Sequence, residues 1–296
     1  MQPNVVTNYL LLGTAFVYLW AFRSLYLQIP GLYGDGGIMP LRSFLPECDE
    51  DASVFACSFG GGQPTALHLF MRSLSLTAEE SLRFCCLLGV AFCSLAIISP
   101  TFRHLLVFLA IWYLYFSCTQ VGQTFLWFQW DSLLNELGFL VALCAPWSTW
   151  KAWERRRGGR VADADDASSN VCLFLVKWLA FRLMFASGVV KLTSECDTWW
   201  TLTALHHHYE SQCLPNRMAW HAHALVGDAF KKLSVALTFY VEILAPLLFL
   251  LPLKRARQLA FLTQVGLMFL IMFTGNYNFF NFAYIVACLP LLLGPD

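Results

Sequence analysis

The sequence predicts an all-α fold: a polytopic transmembrane helical bundle with lumenal loops. Three observations carry that prediction. Of 296 residues, 58% are hydrophobic and only 13% charged, and the mean hydropathy is +0.57, a balance too apolar for an ordinary soluble domain. The apolar residues gather in runs of helix length, and a segment crossing hydrocarbon must satisfy its backbone internally, which a helix does. Basic residues concentrate in two of the connections between runs. The 26 Phe, 11 Trp and 10 Tyr suit lipid-facing surfaces and interfacial belts. A net charge of zero gives no reason to expect a nucleic acid as a partner.

The first run covers about residues 9–27. It has no basic segment ahead of it and no small-residue cleavage site before "LQIP", so it reads as a retained anchor. A polar stretch punctuated by Gly and Pro follows, about 28–83, holding "GLYGDGGIMP" and the acidic cluster "ECDED". Further runs lie at about 84–99, 105–124, 133–147, 171–192, 235–253, 259–274 and 280–293. Several are short for a spanning helix, which sets the expectation at five to eight spans.

Orientation follows from charge. "WKAWERRRGGR" carries Lys151, Arg155, Arg156, Arg157 and Arg160, and "LKRAR" carries Lys254, Arg255 and Arg257. The positive-inside rule places both in the cytosol. Alternation through eight spans then puts the N-terminus and the basic loop at about 148–170 in the cytosol, and the loops at about 28–83 and 193–234 on the far side of the membrane. The "DADDASSN" run reads as a solvated linker. Of the eleven cysteines, Cys85, Cys86, Cys93, Cys118, Cys144, Cys172 and Cys288 fall in or beside apolar runs, where a thiol acts as a small hydrophobe. Cys48, Cys57, Cys196 and Cys213 fall in the two far-side loops, and they can oxidise if that side is the lumen of the secretory pathway. Three pairings of these four are open; Cys196 with Cys213 is preferred because it would staple the histidine-rich loop.

Four blocks of sequence resemble the lipase maturation factor family. They are "SLYLQIPGLYGDGGIMP" (24–40), "CTQVGQTFLWFQWDSLLNELGFL" (118–140), "WLAFRLMFASGVVKLTSECDTWWTLTALHHHYESQCLPNRMAWHAH" (178–223) and "IMFTGNYNFFN" (271–281). The resemblance implies a multi-pass protein of the endoplasmic reticulum membrane. Such a protein helps secreted lipases, lipoprotein lipase among them, to fold, assemble and leave, with lumenal chaperones or redox partners beside it. It implies no enzyme, cofactor or metal. A weaker similarity, to the membrane portion of the vitamin K-dependent carboxylase, supplies an alternative class, a membrane-embedded enzyme; a lipid or solute transporter is the third. The family pattern reads "LLLE" and "TYHYETQ" where this chain has "LLNE" and "HHHYESQ". Family members also continue into a long lumenal C-terminal domain, which a chain ending at "LLLGPD" is expected to lack, leaving residues 1–296 as one multi-pass domain.

The histidine cluster invites a metal reading. His206, His207, His208, Glu210, Cys213, His221 and His223 offer enough donors, but neither "HHHYE" nor "HAH" has the i, i+4 histidine spacing of a helical ligand pair. A structured loop is the expectation. Within it the family pattern keeps His208, Tyr209 and Glu210, while His206 and His207 are extra. Trp199 and Trp200 are expected at the membrane interface, and Pro215 and Asn216 at a turn.

Charges inside apolar runs are costly unless they face the bundle interior or a partner. Arg182 and Glu242 lie in such runs; Asp131, Glu136, Lys177 and Lys191 lie nearer their ends, where long basic side chains can snorkel. The architectural reading pairs Arg182 with Glu242 or Glu136 and so fixes helix order. The catalytic reading makes Lys191 or His208 a base, but no nucleophile elbow, phosphate loop or zinc-protease motif accompanies it. No catalytic residue is therefore assigned. Glycosylation acceptor sites test the topology: one inserted near Asn216 should be modified and one near Gly159 should not, and the reverse pattern would invert the orientation.

Overall fold

The computed structural model describes residues 1–45, 65–147, 163–212 and 216–294, with backbone alone for 163–169. Among the described residues every regular element is helical. Five helices are long and apolar enough to cross a membrane: Pro3–Leu32, Ala78–Ile98, Asn170–Thr193, Asp228–Leu250 and Lys254–Thr274. Leu105–Val121 and Phe280–Leu292 are shorter apolar helices. The run at 133–147 becomes the helix Gln129–Cys144, whose sixteen residues include Asp131 and Glu136. The fold is thus a polytopic helical membrane bundle.

Several boundaries differ from those read in the sequence. The "DADDASSN" run is not a linker but the start of the helix Asp163–Thr193, and the span expected from 235 begins at Asp228. The polar stretch after the first run is not all loop, since the first helix extends to Leu32 and short helices form at Leu41–Phe44 and Leu67–Leu74. The next span starts at Ala78, ahead of its apolar run, because Thr77 and Glu80 form a reciprocal capping box: the Glu80 N–H donates to Thr77 Oγ1 at 3.3 Å and the Thr77 N–H to Glu80 Oε2 at 2.9 Å. Residues 46–64, with Cys48, Cys57 and "ECDED", lie outside the described residues, as do the basic loop at 148–162 and residues 213–215.

The chain divides into two compact units, Leu11–Ser169 and Met1–Leu10 with Asn170–Asp296. In the first, Ala78–Ile98, Leu105–Val121 and Gln129–Cys144 pack in sequence order. Tyr18 anchors the first helix to this set. Its hydroxyl donates to the Leu134 carbonyl at 2.8 Å, its ring meets Tyr115 edge-on at 5.4 Å, and Gly138 supplies the space, since a Cβ there would fall on the Tyr18 hydroxyl. The Tyr115 hydroxyl donates to Asp131 Oδ1 at 2.6 Å, and Tyr33 donates to the Gly122 carbonyl at 2.6 Å. The seven cysteines expected in apolar surroundings are all buried.

The second unit has two ends. At one, the Met1 amino group donates to the Leu292 carbonyl at 2.8 Å and Arg257, from "LKRAR", donates to the Leu293 carbonyl at 3.0 Å. At the other, Gln212 donates to the carbonyl of Thr274, the last residue of the Lys254–Thr274 span, at 2.8 Å. The connection 194–227 therefore shares an end with "TGNYN", and the basic connection lies at the opposite end.

Candidate functional site

Pro246 organises the centre of the second unit. It has no N–H to give the Glu242 carbonyl, and its ring crowds that same oxygen, so the helix widens just before it into a π turn, Tyr240–Leu244. The Ala245 N–H then bonds Tyr240, one residue further back than in an α-helix, which frees the Val241 carbonyl. Gln264 fills that vacancy with its Nε2 at 2.7 Å, and its Oε1 accepts from the Tyr284 hydroxyl at 3.1 Å. Tyr284 also lies 3.3 Å from the Ala180 carbonyl. One chain of buried polar groups thus touches four helices.

The same π turn presents Glu242 to the helix Asn170–Thr193. Gly188 permits the approach: a Cβ there would stand 2.5 Å from Ile243 Cγ1 and 3.0 Å from Glu242 Cβ. One helical turn on, Lys191 Nζ donates to both Glu242 oxygens, at 2.8 and 2.6 Å, and to the Ser187 carbonyl at 3.1 Å. Their side chains are 19% and 7% exposed, so neither charge is left to water. Trp199 places its ring 5.4 Å from Lys191 Nζ and meets Phe239 edge-on at 5.9 Å, closing the pair from the end of the bundle.

Next to this pair lies the histidine-rich segment. Gln212 Nε2 spends one hydrogen on the Thr274 carbonyl and lies 3.3 Å from His208 Nε2, so that ring nitrogen accepts and the proton sits on Nδ1. The Tyr277 hydroxyl is also 3.3 Å from His208 Nε2, with the two rings stacked. Burial lowers the pKa of His208, and the positive charge of Lys191 lowers it further. The cluster therefore holds a neutral imidazole beside a cation. Tyr209 is half-buried, which raises its phenol pKa, and the exposed Glu210 lies 3.0 Å from His223 Nε2.

Several residues singled out in the sequence meet here, with two corrections. The ionic partner of Glu242 is Lys191, not Arg182: Arg182 is exposed nine residues earlier, about 13.5 Å along the helix axis. Lys191 accordingly turns inward instead of snorkelling. Of the two tryptophans expected at the interface, Trp199 packs inward and Trp200 is exposed. Asp131 and Glu136 belong to the other unit. There Asp131 is buried, accepting from Tyr115 and from the Phe128 N–H at 3.2 Å, while Glu136 is exposed. Cys196 is exposed with Sγ 3.1 Å from Thr198 Oγ1, and its expected partner Cys213 lies outside the described residues. Gly188, Gln212, Gln264, Tyr277 and Tyr284 escaped the sequence reading. Only Pro246, four residues after an intramembrane Glu, signalled that a freed carbonyl would need a donor. Among the described residues no group of three or more His, Cys, Asp or Glu side chains is placed to hold a metal ion.

The spans and this cluster define a class: a polytopic helical membrane protein whose buried polar network supports a histidine-rich connection at one end. The pattern of the lipase maturation factor transmembrane domain matches residues 5–294, and the chain belongs to the lipase maturation factor family. Lipase maturation factor 2 of Gallus gallus is 48% identical over 290 residues, covering 98% of this chain and 39% of that protein. Its Homo sapiens counterpart is 46% identical over 288 residues, 95% of this chain and 39% of that protein. Lipase maturation factor 1 of Mus musculus is 30% identical over 281 residues, 95% and 46% respectively. The chain thus spans about two fifths of the length of the lipase maturation factor 2 relatives. No solved structure matches it.

A lowered His208 pKa has a definite sign. The unfolded segment binds a proton more readily than the folded one, so the stabilisation is complete above the ordinary histidine value of about 6.5 and is lost as pH falls below it. Protease accessibility of residues 204–212 should rise between pH 7.5 and 5.5, and His208→Gln, which titrates no proton, should flatten that rise. An identical pH response in both proteins would remove His208 from the account.

Proposed function

We propose that this chain is the membrane region of a maturation factor that assists folding, assembly and export of secreted lipases, lipoprotein lipase being the type of client expected. It resides in the endoplasmic reticulum membrane as a multi-pass protein. The single observation that carries this reading is the family match over residues 5–294, with relatives whose names state lipase maturation. The role is assistance, not catalysis, and lumenal chaperones or redox partners act with it.

In this reading residues 1–296 form one multi-pass domain, with the connections at about 28–83 and 193–234 in the lumen and the basic loop at about 148–170 in the cytosol. The grouping of the 194–227 connection with Thr274 and Tyr277, at the end opposite Arg257, supports such an alternation. Arg257 is among the basic residues that favour the cytosol. A Cys196–Cys213 bond in the lumen would shorten the free path of the connection.

The lumenal segment meets clients through Tyr209 and Glu210. The Lys191–Glu242 pair, Trp199 and His208 hold that segment, so these residues act by positioning it. In cells lacking the endogenous protein and supplied with this chain, Tyr209→Ala or Glu210→Ala should lower secreted lipase activity more than His206→Ala does, at equal abundance of all three. Equal activity for the three, or a loss that tracks degradation, would leave the segment without a recognition role.

A further inference from the structure

The helix Arg217–Leu225 is fastened at both ends to the ends of spans. At its start Asn216 caps the Met218 and Ala219 N–H groups at 2.8 and 3.2 Å, and its Nδ2 reaches the carbonyl of Gly275, the residue just past the Lys254–Thr274 span, at 3.4 Å. Near its finish, Lys231, in the first turn of the Asp228–Leu250 span, donates to the His223 carbonyl at 2.7 Å. Nine helical residues measure about 13.5 Å. A rod of that length tied at each end to a span terminus at the same end of its unit lies across that end.

Its side chains are unusual for a helix in water. Ala219 is the residue it buries, against the Lys254–Thr274 helix, while Met218 is 50%, Trp220 62% and Leu225 76% exposed. Met218 and Leu225 stand two turns apart on one flank. Beyond Leu225 the chain enters a span whose exposed apolar residues, Phe230, Leu233 and Leu237, form its lipid-facing surface. Arg217 is exposed on the same helix, with a stem long enough to carry its guanidinium to a phosphate. Trp200, just past the end of the Asn170–Thr193 span, is exposed in the same way.

We infer that the helix Arg217–Leu225 is an interfacial helix that binds phospholipid at the headgroup–acyl boundary of its leaflet, with Met218 and Leu225 in the acyl region and Arg217 on phosphate. The fixed height of both attachments and the continuity of Leu225 with the lipid-facing surface select lipid over a protein partner as its occupant. Trp and Arg are the residues that such helices place at this depth. The inference goes beyond the lipase reading and stands whether or not that reading holds. Where both hold, a client meets the histidine-rich segment at the bilayer surface.

The test uses the full chain in phosphatidylcholine nanodiscs with a photoreactive phenylalanine analogue at 218, 225, 233 or 207. Positions 218 and 225 should give phospholipid adducts at a yield close to that of 233 on the span, and roughly tenfold above that of 207. Adducts at 233 without any at 218 and 225, or adducts at those positions to a second copy of the chain, would overturn the inference. Hydroxyl-radical footprinting of the unsubstituted chain in the same discs is independent of any variant. Met218, on the lipid flank, should be oxidised far less than its exposure in the bare protein demands, and full oxidation of Met218 would also overturn it.

Discussion

Everything at the loop-bearing end of this protein depends on satisfying one pair of charges inside a membrane. Placing Lys191 and Glu242 in apolar helices would cost about 2.5 to 3.5 kcal/mol each on insertion scales if they faced lipid. Their mutual contact, at 2.8 and 2.6 Å to the two carboxylate oxygens, removes most of that cost and requires two helices to meet in one register. Gly188 allows the helices close enough, and the π turn forced by Pro246 rotates Glu242 toward the lysine. Gln264 then repairs the backbone vacancy that the π turn creates. Each feature makes the next one necessary, which is why a glycine, a proline and a glutamine with no chemistry of their own stand at these places.

The same charges set the state of the connection above them. The Lys191 ammonium helps to keep His208 neutral, and a neutral His208 can accept from Gln212, which simultaneously holds the end of the Lys254–Thr274 span. Trp199, packed between the lysine and Phe239, ties the start of the connection to the same centre. The histidine run that first suggests a metal is therefore divided by its surroundings: His208 belongs to the bundle, His207 faces outward, and His223 answers Glu210 across the connection. A lipid-seated helix at Arg217–Leu225 would give this connection a fixed height above the bilayer.

Much of this was legible in the sequence because membranes impose coarse rules. Apolar runs gave the spans, and the buried cysteines followed from their neighbours. Glu242 was recognisable as a residue in need of a partner. Which cation it took was not, because Arg182 and Lys191 share a helix and only the π turn decides between them. Helix starts were misplaced where caps outrank hydropathy, as at Thr77. Gln264 and Tyr284 look like ordinary polar interruptions until the Val241 carbonyl is seen to need a donor. Trp199 and Trp200 are neighbours of identical type, and their opposite fates depend on packing that no window of sequence contains.

The central claim is that the Lys191–Glu242 pair organises this end of the protein, and a double-mutant cycle on thermal stability in detergent tests it most directly. Lys191→Met and Glu242→Leu should each be strongly destabilising, by about 3 to 5 kcal/mol, because each leaves its partner's charge buried and unpaired. The double variant should recover much of that loss. Single effects within about 0.5 kcal/mol of neutral, as expected for a surface site, or losses that simply add, would contradict the account.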